Sequence, residues 1–268
     1  MSSTGTTLAG GIDVGGTTVK GGLVEVESGR LVVPSLRLAT PKPAAIADVV
    51  AVVAHVANGL AKSGLTVGLP LGVGLSGDVR DGQHTTGVNL HDSWVGAPAR
   101  ALLEQQLGRP VTILNDADAA GIAEARYGTA RGVRGIVVLL TFGTGIGSAI
   151  LNDGGLLPNS GLGQMPFHGR PVEHLLSAVA RERRRLSWRH WASDVSRYVN
   201  LIDELLHPAL VVIGGGVSAQ SGAFWSFLET TCPVRPAALG NEAGLVGAAL
   251  AGAEFTIIRG SAPSVGGL

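Results

Sequence analysis

The chain has 268 residues, 45% of them hydrophobic, with 20 basic and 20 acidic side chains and a formal net charge of zero. That apolar share excludes a disordered chain, and the balanced charge lacks the basic footprint of a nucleic-acid binder. One cysteine, Cys232, excludes an internal disulfide or a thiolate metal cluster, and no apolar run reaches the roughly 18 residues of a membrane helix. A cytoplasmic protein with no targeting segment and no membrane partner is expected.

In chain order, apolar runs at 8–14 and 19–26 flank Gly15-Gly16 and predict a hairpin. Pro43 opens a helical pattern through Ile46, Val49, Val50, Val53, Val56 and Leu60 that closes near Gly64. Residues 71–75 read as a buried strand, and 97–107 as a helix with Gly108 just past its end. A strand at 111–114 runs into Asn115-Asp116-Ala117-Asp118, which starts a helix to Tyr127, stopped by Gly128. The second half repeats the style. Strands at 135–140 and 148–151, a long helix at 188–206, a strand at 210–213 and a small-residue helix at 244–251 are expected, then a frayed tail over 260–268. Strand–helix units in both halves predict an α/β protein of two lobes with a ligand cleft between them.

Glycine carries the functional signal. There are 41 glycines, about twice the usual share of roughly 7%, and they fall in clusters. In Asp13-Val14-Gly15-Gly16-Thr17-Thr18-Val19-Lys20, a strand delivers a carboxylate and a glycine turn offers N–H groups and hydroxyls to a polyanion. A carboxylate there repels phosphate unless Mg²⁺ lies between them, so Asp13 reads as a metal residue, unless the turn is an ordinary hairpin with an incidental aspartate. Thr141-Phe142-Gly143-Thr144-Gly145-Ile146-Gly147 makes a second cradle or a glycine bend. Gly214-Gly215-Gly216-Val217 follows a third apolar run, too late in the chain for a dinucleotide fingerprint. The acidic residues that start the helix at Asp116 are favoured by its dipole, and capping explains at least one of them.

These three glycine clusters, in this order, resemble the phosphate-1, phosphate-2 and adenosine motifs of the actin–hexokinase–Hsp70 superfamily. Residues 115–121 and Asn241-Glu242-Ala243-Gly244-Leu245-Val246-Gly247 narrow the resemblance to the ROK family of sugar kinases. Residues 115–128, Leu157-Pro158-Asn159 and 179–183 are most similar to its polyphosphate/ATP glucokinase and glucomannokinase branch. The resemblance runs from about Ala9 to Ala251. It implies a two-lobed actin-like ATPase (ribonuclease H-like) fold, with residues 1–116 as the first lobe and 117–268 as the second, the last helix able to pack back on the first. Family repressors carry an N-terminal helix-turn-helix, for which a motif starting at residue 13 leaves no room.

Carried over residue by residue, Asp116 is the catalytic base, and Asn89, Asn115, Glu173 and Gln164 meet the sugar. Asp13 holds Mg²⁺ through water. Gly15, Gly16, Thr17, Thr18, Lys20, Thr141, Gly143, Thr144, Gly145, Gly214, Gly215 and Gly216 bind phosphate or nucleotide. The resemblance implies a sugar substrate, ATP or polyphosphate as donor, no zinc, and a homodimer. One departure matters: the family's sugar-binding Glu-x-Gly-His stands here as Gly161-Leu162-Gly163-Gln164. The expectation is therefore a kinase acting on a primary hydroxyl with altered recognition near C1 and C2. The alternative is a non-catalytic sensor descended from one. Lys20, Arg80 and Arg131 or Arg134 are candidate polyphosphate contacts, and the arginines of 181–185 read as a solvated helix face.

Overall fold

Two similar sheets face each other through a pair of helices. The computed structural model describes residues 7–86 and 89–260, with 255–260 as backbone only. The first sheet is built from β1 (Leu8–Val14), β2 (Thr18–Glu25), β3 (Arg30–Leu31), β4 (Leu36–Ala39), β5 (Leu71–Leu75) and β8 (Thr112–Asn115), in the order β3-β2-β1-β5-β8 with β4 also on β2. β1 pairs antiparallel with β2, Asp13 opposite Lys20, and runs parallel to β5, which runs parallel to β8. A small hairpin, β6 (Val79–Arg80) and β7 (Gln83–His84), follows β5. The second sheet holds β9 (Ile136–Phe142), β10 (Ile146–Asn152), β11 (Gly155–Leu157), β14 (Leu210–Gly214) and β15 (Val234–Pro236), ordered β11-β10-β9-β14-β15. β12 (Pro166–Phe167) and β13 (Arg170–Pro171) form a separate hairpin. Each sheet thus opens with an antiparallel pair whose turn is a glycine cluster, then adds parallel strands through crossovers.

Helices α1 (Ile46–Ala61) and α2 (Ala99–Leu107) belong to the first lobe, where Val49, Val53, Val56 and Leu60 join Ile12, Val14 and Val73 in one buried cluster. On the other face of that sheet lies α7 (Ala243–Gly260), packed on β1 and β5. Helix α3 (Asp116–Tyr127) sits between α7 and β10. The short α4 (Glu173–Leu176) and α5 (Ala178–Arg183) lead to α6 (Trp188–Leu206), whose Trp191, Tyr198 and Val199 bury with Phe142 and Phe224. Three glycines make the central seam possible. A Cβ on Gly11 would lie 2.0 Å from the Leu245 carbonyl oxygen, one on Gly72 1.8 Å from that of Ala248, and one on Gly247 1.7 Å from that of Ala119. Backbone therefore meets backbone on both sides of α7, which accounts for glycine inside strands that it would otherwise weaken.

The expected elements are present, with shifted ends. α1 starts at Ile46 rather than at Pro43, because Thr40 and Lys42 are tied to the carbonyls of Gly15 and Gly16 and the chain stays extended through Ala45. α2 starts at Ala99, since Ala97 bridges His84. α7 runs on to Gly260, and the tail expected beyond it lies outside the described residues. The arginines of 181–185 are not simply solvated. Arg181 stacks 3.7 Å over the Trp188 ring, and Arg181, Arg183 and Arg184 donate to the carbonyls of Leu186, His174 and Leu175. Among the described residues, no helix is long and apolar enough to cross a membrane.

Candidate active site

The two glycine turns meet across a cavity of about 370 Å³. A Cβ on Gly16 would lie 3.1 Å from Asn89 Cβ and 3.5 Å from Thr144 Cγ2, so the turns of the two lobes are immediate neighbours. Every residue assigned from the sequence to catalysis, sugar, metal or the phosphate turns lines this cavity except Glu173, which lines a second one beside it.

At one end, the first turn aims its donors inward because its acceptors are engaged elsewhere. Thr40 Oγ1 and Lys42 Nζ donate to the carbonyls of Gly15 and Gly16, both at 2.7 Å, and Thr40 N donates to Thr17 O. Among the described residues, no acceptor takes the N–H of Gly16 or Thr17. Loop N–H groups left free beside a glycine suit an anion. The second turn is held likewise, with Val179 N donating to Gly143 O. Gly215 adopts φ +78° with Phe142 backbone 2.6 Å from where a Cβ would stand, so only glycine fits there. Lys20 Nζ bridges Asp13 Oδ2 at 2.9 Å and the Asn241 carbonyl at 2.8 Å. Arg37, not anticipated, also lines this end and pairs with Glu242. Of the other basic candidates, Arg80, Arg131 and Arg134 do not line the cavity.

Asp116 lines the cavity from the first turn of α3. Its Oδ1 accepts the Ala117 N–H at 2.8 Å, and no described donor reaches Oδ2. Burial first, then the nearby Asp13 charge, push its carboxyl up to about 7; Asp118 adds to this, while the Ala117 N–H and Lys20 oppose it. The helix cap is Asn115, not Asp116: Asn115 Oδ1 accepts from Asp118 N at 2.9 Å, and its Nδ2 donates to Gly77 O at 3.0 Å. Asn115 therefore organises α3 and still keeps one acceptor and one donor position for a ligand.

Asn89 sits against both glycine turns, and the Ser76-Gly77-Asp78 segment, Asn159, Ser160, Gly161, Gly163 and Gln164 complete the lining. Asn89 Nδ2 donates to Ser76 Oγ at 3.4 Å. Gln164 Nε2 donates to Glu173 Oε1 at 2.6 Å, while Glu173 Oε2 accepts from Ile146 N at 3.3 Å. Sequence reasoning missed Asp78, Ser76 and Asn159, whose signal was only a polar segment after a buried strand and a Pro-Asn turn. Asn159 is a clasp: its amide pairs with both Val79 N and Val79 O, and its N–H donates to Asp118 Oδ2 at 2.8 Å.

Residues 9–165 match the ROK family, and a polyphosphate glucokinase of Mycobacterium tuberculosis is 42% identical over 247 residues, 92% of this chain and 91% of that protein. The chain belongs to the ROK family. It is a phosphotransferase with an alcohol acceptor, and its two sheets with their interlobe cavity are the actin-like ATPase fold. The crystal structure of an inorganic polyphosphate/ATP-glucomannokinase from Arthrobacter superposes with a TM-score of 0.90 at 42% identity, covering 94% of this chain and 99% of that one. A ROK family glucokinase from Streptomyces griseus, solved with glucose and AMPPNP, gives a TM-score of 0.77 over 91% of this chain and 98% of that one. At 24% identity, that likeness concerns the fold.

Proposed function

We propose that this ROK-family protein is a sugar kinase that transfers a phosphoryl group from ATP or polyphosphate to the primary hydroxyl of a hexose or hexose-like substrate. The observation that carries this reading is Asp116, a half-buried carboxylate with an uncommitted oxygen in the wall of the cavity that the two glycine turns and Asn89 also line. Asp116 accepts the proton of the sugar hydroxyl as that oxygen bonds to the terminal phosphorus. The bond from that phosphorus to the donor breaks, and its electron pair leaves on the shortened donor.

The free N–H groups of Gly16 and Thr17, the Thr144 and Gly145 turn and Gly214 to Gly216 hold the donor, with Thr18, Thr141 and Lys20 along its path. Asp13 supports a Mg²⁺ role. Asp13 lines the cavity beside the Gly15-Gly16 turn, where one carboxylate plus donor oxygens would hold an ion that keeps most of its waters. When bound there, Mg²⁺ neutralises phosphate charge. Asn89, Asn115, Gln164 and Glu173 orient the sugar. Gly161 and Gln164, where the family has Glu and His, support altered recognition near C1 and C2, because a glycine and a neutral amide replace two stronger hydrogen-bonding groups. In this reading residues 1–116 are the first lobe and 117–268 the second, with α7 returning to the first. Cytoplasmic location and a homodimer rest on family likeness.

The test is to assay the protein with Mg²⁺, ATP or polyphosphate and a panel of sugars. Asp116→Asn keeps size and most hydrogen bonding but cannot take the proton, so turnover should fall about 10²–10⁴-fold with little change in sugar affinity. Near-normal turnover in this variant would mean that another group is the base.

A further inference from the structure

Behind the cavity wall, and lining neither cavity, stands a histidine that the proposed mechanism does not use. We infer that His84 is a positioning residue for acceptor binding: its Nε2–H fixes the Ser76–Gly77 peptide and, through it, Asn89 and Asn115 in the wall. The inference rests on the kinase reading above and adds to it a residue outside the site.

The hydrogen bonds of His84 lead there. The residue is fully buried on β7, its N–H donating to Ala97 O at 3.0 Å and its carbonyl accepting from Gly96 N at 2.8 Å. Its ring lies 5.3 Å from that of Trp94. Nε2 stands 2.7 Å from the Ser76 carbonyl oxygen. A carbonyl only accepts, so Nε2 carries the hydrogen. Nδ1 has no hydrogen-bond partner among the described residues. Burial holds the ring's ionisation below its usual range, against the Ser76 carbonyl, the Asp78 charge and the Trp94 carbonyl, so the ring is neutral at about pH 7. Packing alone does not account for it, since an apolar side chain would fill the place without burying a bare nitrogen.

What the ring decides is the way one peptide faces. A trans peptide points its C=O and its N–H in opposite directions. With Ser76 O drawn to His84, the Gly77 N–H points the other way, and no acceptor among the described residues takes it. Gly77 lines the cavity at φ +103°, and a Cβ there would stand 2.7 Å from His84 Nε2. Each residue of the pair then holds one asparagine. Ser76 Oγ accepts from Asn89 Nδ2 at 3.4 Å, and Gly77 O accepts from Asn115 Nδ2 at 3.0 Å. Without the His84 bond, the glycine lets this peptide turn over, which replaces the free N–H by a carbonyl and loosens both asparagines.

The test compares two variants with the parent protein, using Mg²⁺, ATP and glucose, or whichever sugar of the panel is phosphorylated fastest. His84→Met fills a similar volume without a donor, and His84→Gln keeps a donor at similar reach. His84→Met should raise KM for the sugar about three- to tenfold, the scale of one hydrogen bond, with a smaller change in kcat and none in KM for ATP. His84→Gln should restore most of that loss. Calorimetry of sugar binding gives the same comparison without turnover. An unchanged sugar KM in folded His84→Met overturns the inference, and so does His84→Gln performing no better than His84→Met. Loss of kcat and of both affinities together marks a merely structural residue and overturns it too. Should His84→Met not fold, the nitrogen-15 signals of the parent imidazole, identified by their absence from His84→Gln, decide. A ring that keeps its hydrogen on Nε2 between about pH 6.5 and 8 supports the inference, and one that carries it on Nδ1 or exchanges overturns it. A parent protein that binds sugar without phosphorylating it overturns the kinase reading alone. One that neither binds nor phosphorylates any sugar overturns both.

Discussion

Asp116 and Asp118 sit two residues apart on the same helix turn, yet their carboxyl groups serve opposite ends. Asp116 faces the cavity with an ionisation pushed up to about 7, and Asp118 is buried on the Asn159 N–H with its own pushed up to about 6, burial being the main cause for both. Only ionised Asp116 can take a proton, so kcat/KM should rise with pH and level off above about 7. Asp13 is the largest charge raising it, so in Asp13→Asn the acid limb of the residual activity should move to lower pH. A pH–rate profile checks this, and a limb that stayed in place would remove the coupling between the two carboxylates. Stability has a definite sign as well. An acid whose ionisation is raised by folding binds more protons folded than unfolded, so stability falls as pH rises from about 4 to 7. Asp116→Asn should therefore gain stability relative to the parent protein across that window, as read by urea unfolding at several pH values.

At the scale of elements, α3 organises the site. Asn115 caps it and ties Gly77, Asp118 holds Asn159, and buried Glu124 accepts the N–H groups of Thr129, Ala238 and Leu239, fixing the segment that leads to Gly240 and Asn241. Helix α7 sets the position of α3 through Gly247. Gly247→Ala would bring a methyl group to 1.7 Å from the Ala119 backbone oxygen, so the helices must part. The expected cost is about 1–3 kcal/mol or more, with a fall in kcat, since Asp116 lies one turn from Ala119. Gly222→Ala, where nothing lies within 4 Å, should change either quantity little.

The long elements were legible in the sequence because period and punctuation agree. The helix at 188–206 and the strand at 71–75 match their expected limits, and Gly128 ends α3 where expected. The glycine turns and Asp116 were legible for the same reason: a buried strand followed by glycine or a carboxylate is a local pattern. What was not legible is long-range. The two-residue strands β3, β6, β7, β12 and β13 are too short to show a period, and the roles of Thr40, Lys42, Asn159 and Glu124 exist only after distant segments meet. Asn115 shows the limit within a single motif, since spacing alone does not tell which of two neighbours caps a helix.

For the molecule as a whole, the lobes are joined by more than the cavity they share. The Asn159 side chain pairs with Val79 of the first-lobe hairpin, at 2.9 and 3.1 Å, from a loop of the second. Asn159→Ala loses both bonds and leaves the Val79 backbone groups seeking water. Each net hydrogen bond is worth about 0.5–1.5 kcal/mol. The lobes should then part more readily, raising KM for the sugar and increasing the radius of gyration in solution scattering of the unliganded protein. Unchanged scattering and KM would mean that the α3–α7 seam alone sets the lobe angle.

That seam has a consequence for the order in which the protein is made. Leu245, Ala248 and Ala249 come from α7, far along the chain, yet they cover the face of the strands at 8–14 and 71–75, which are synthesised long before it. At about 5–20 residues per second, the nascent chain holds one side of its earliest sheet uncovered for on the order of ten seconds or more. The first lobe cannot finish folding until that helix has been made. It closes by accepting a helix that the later part of the chain delivers.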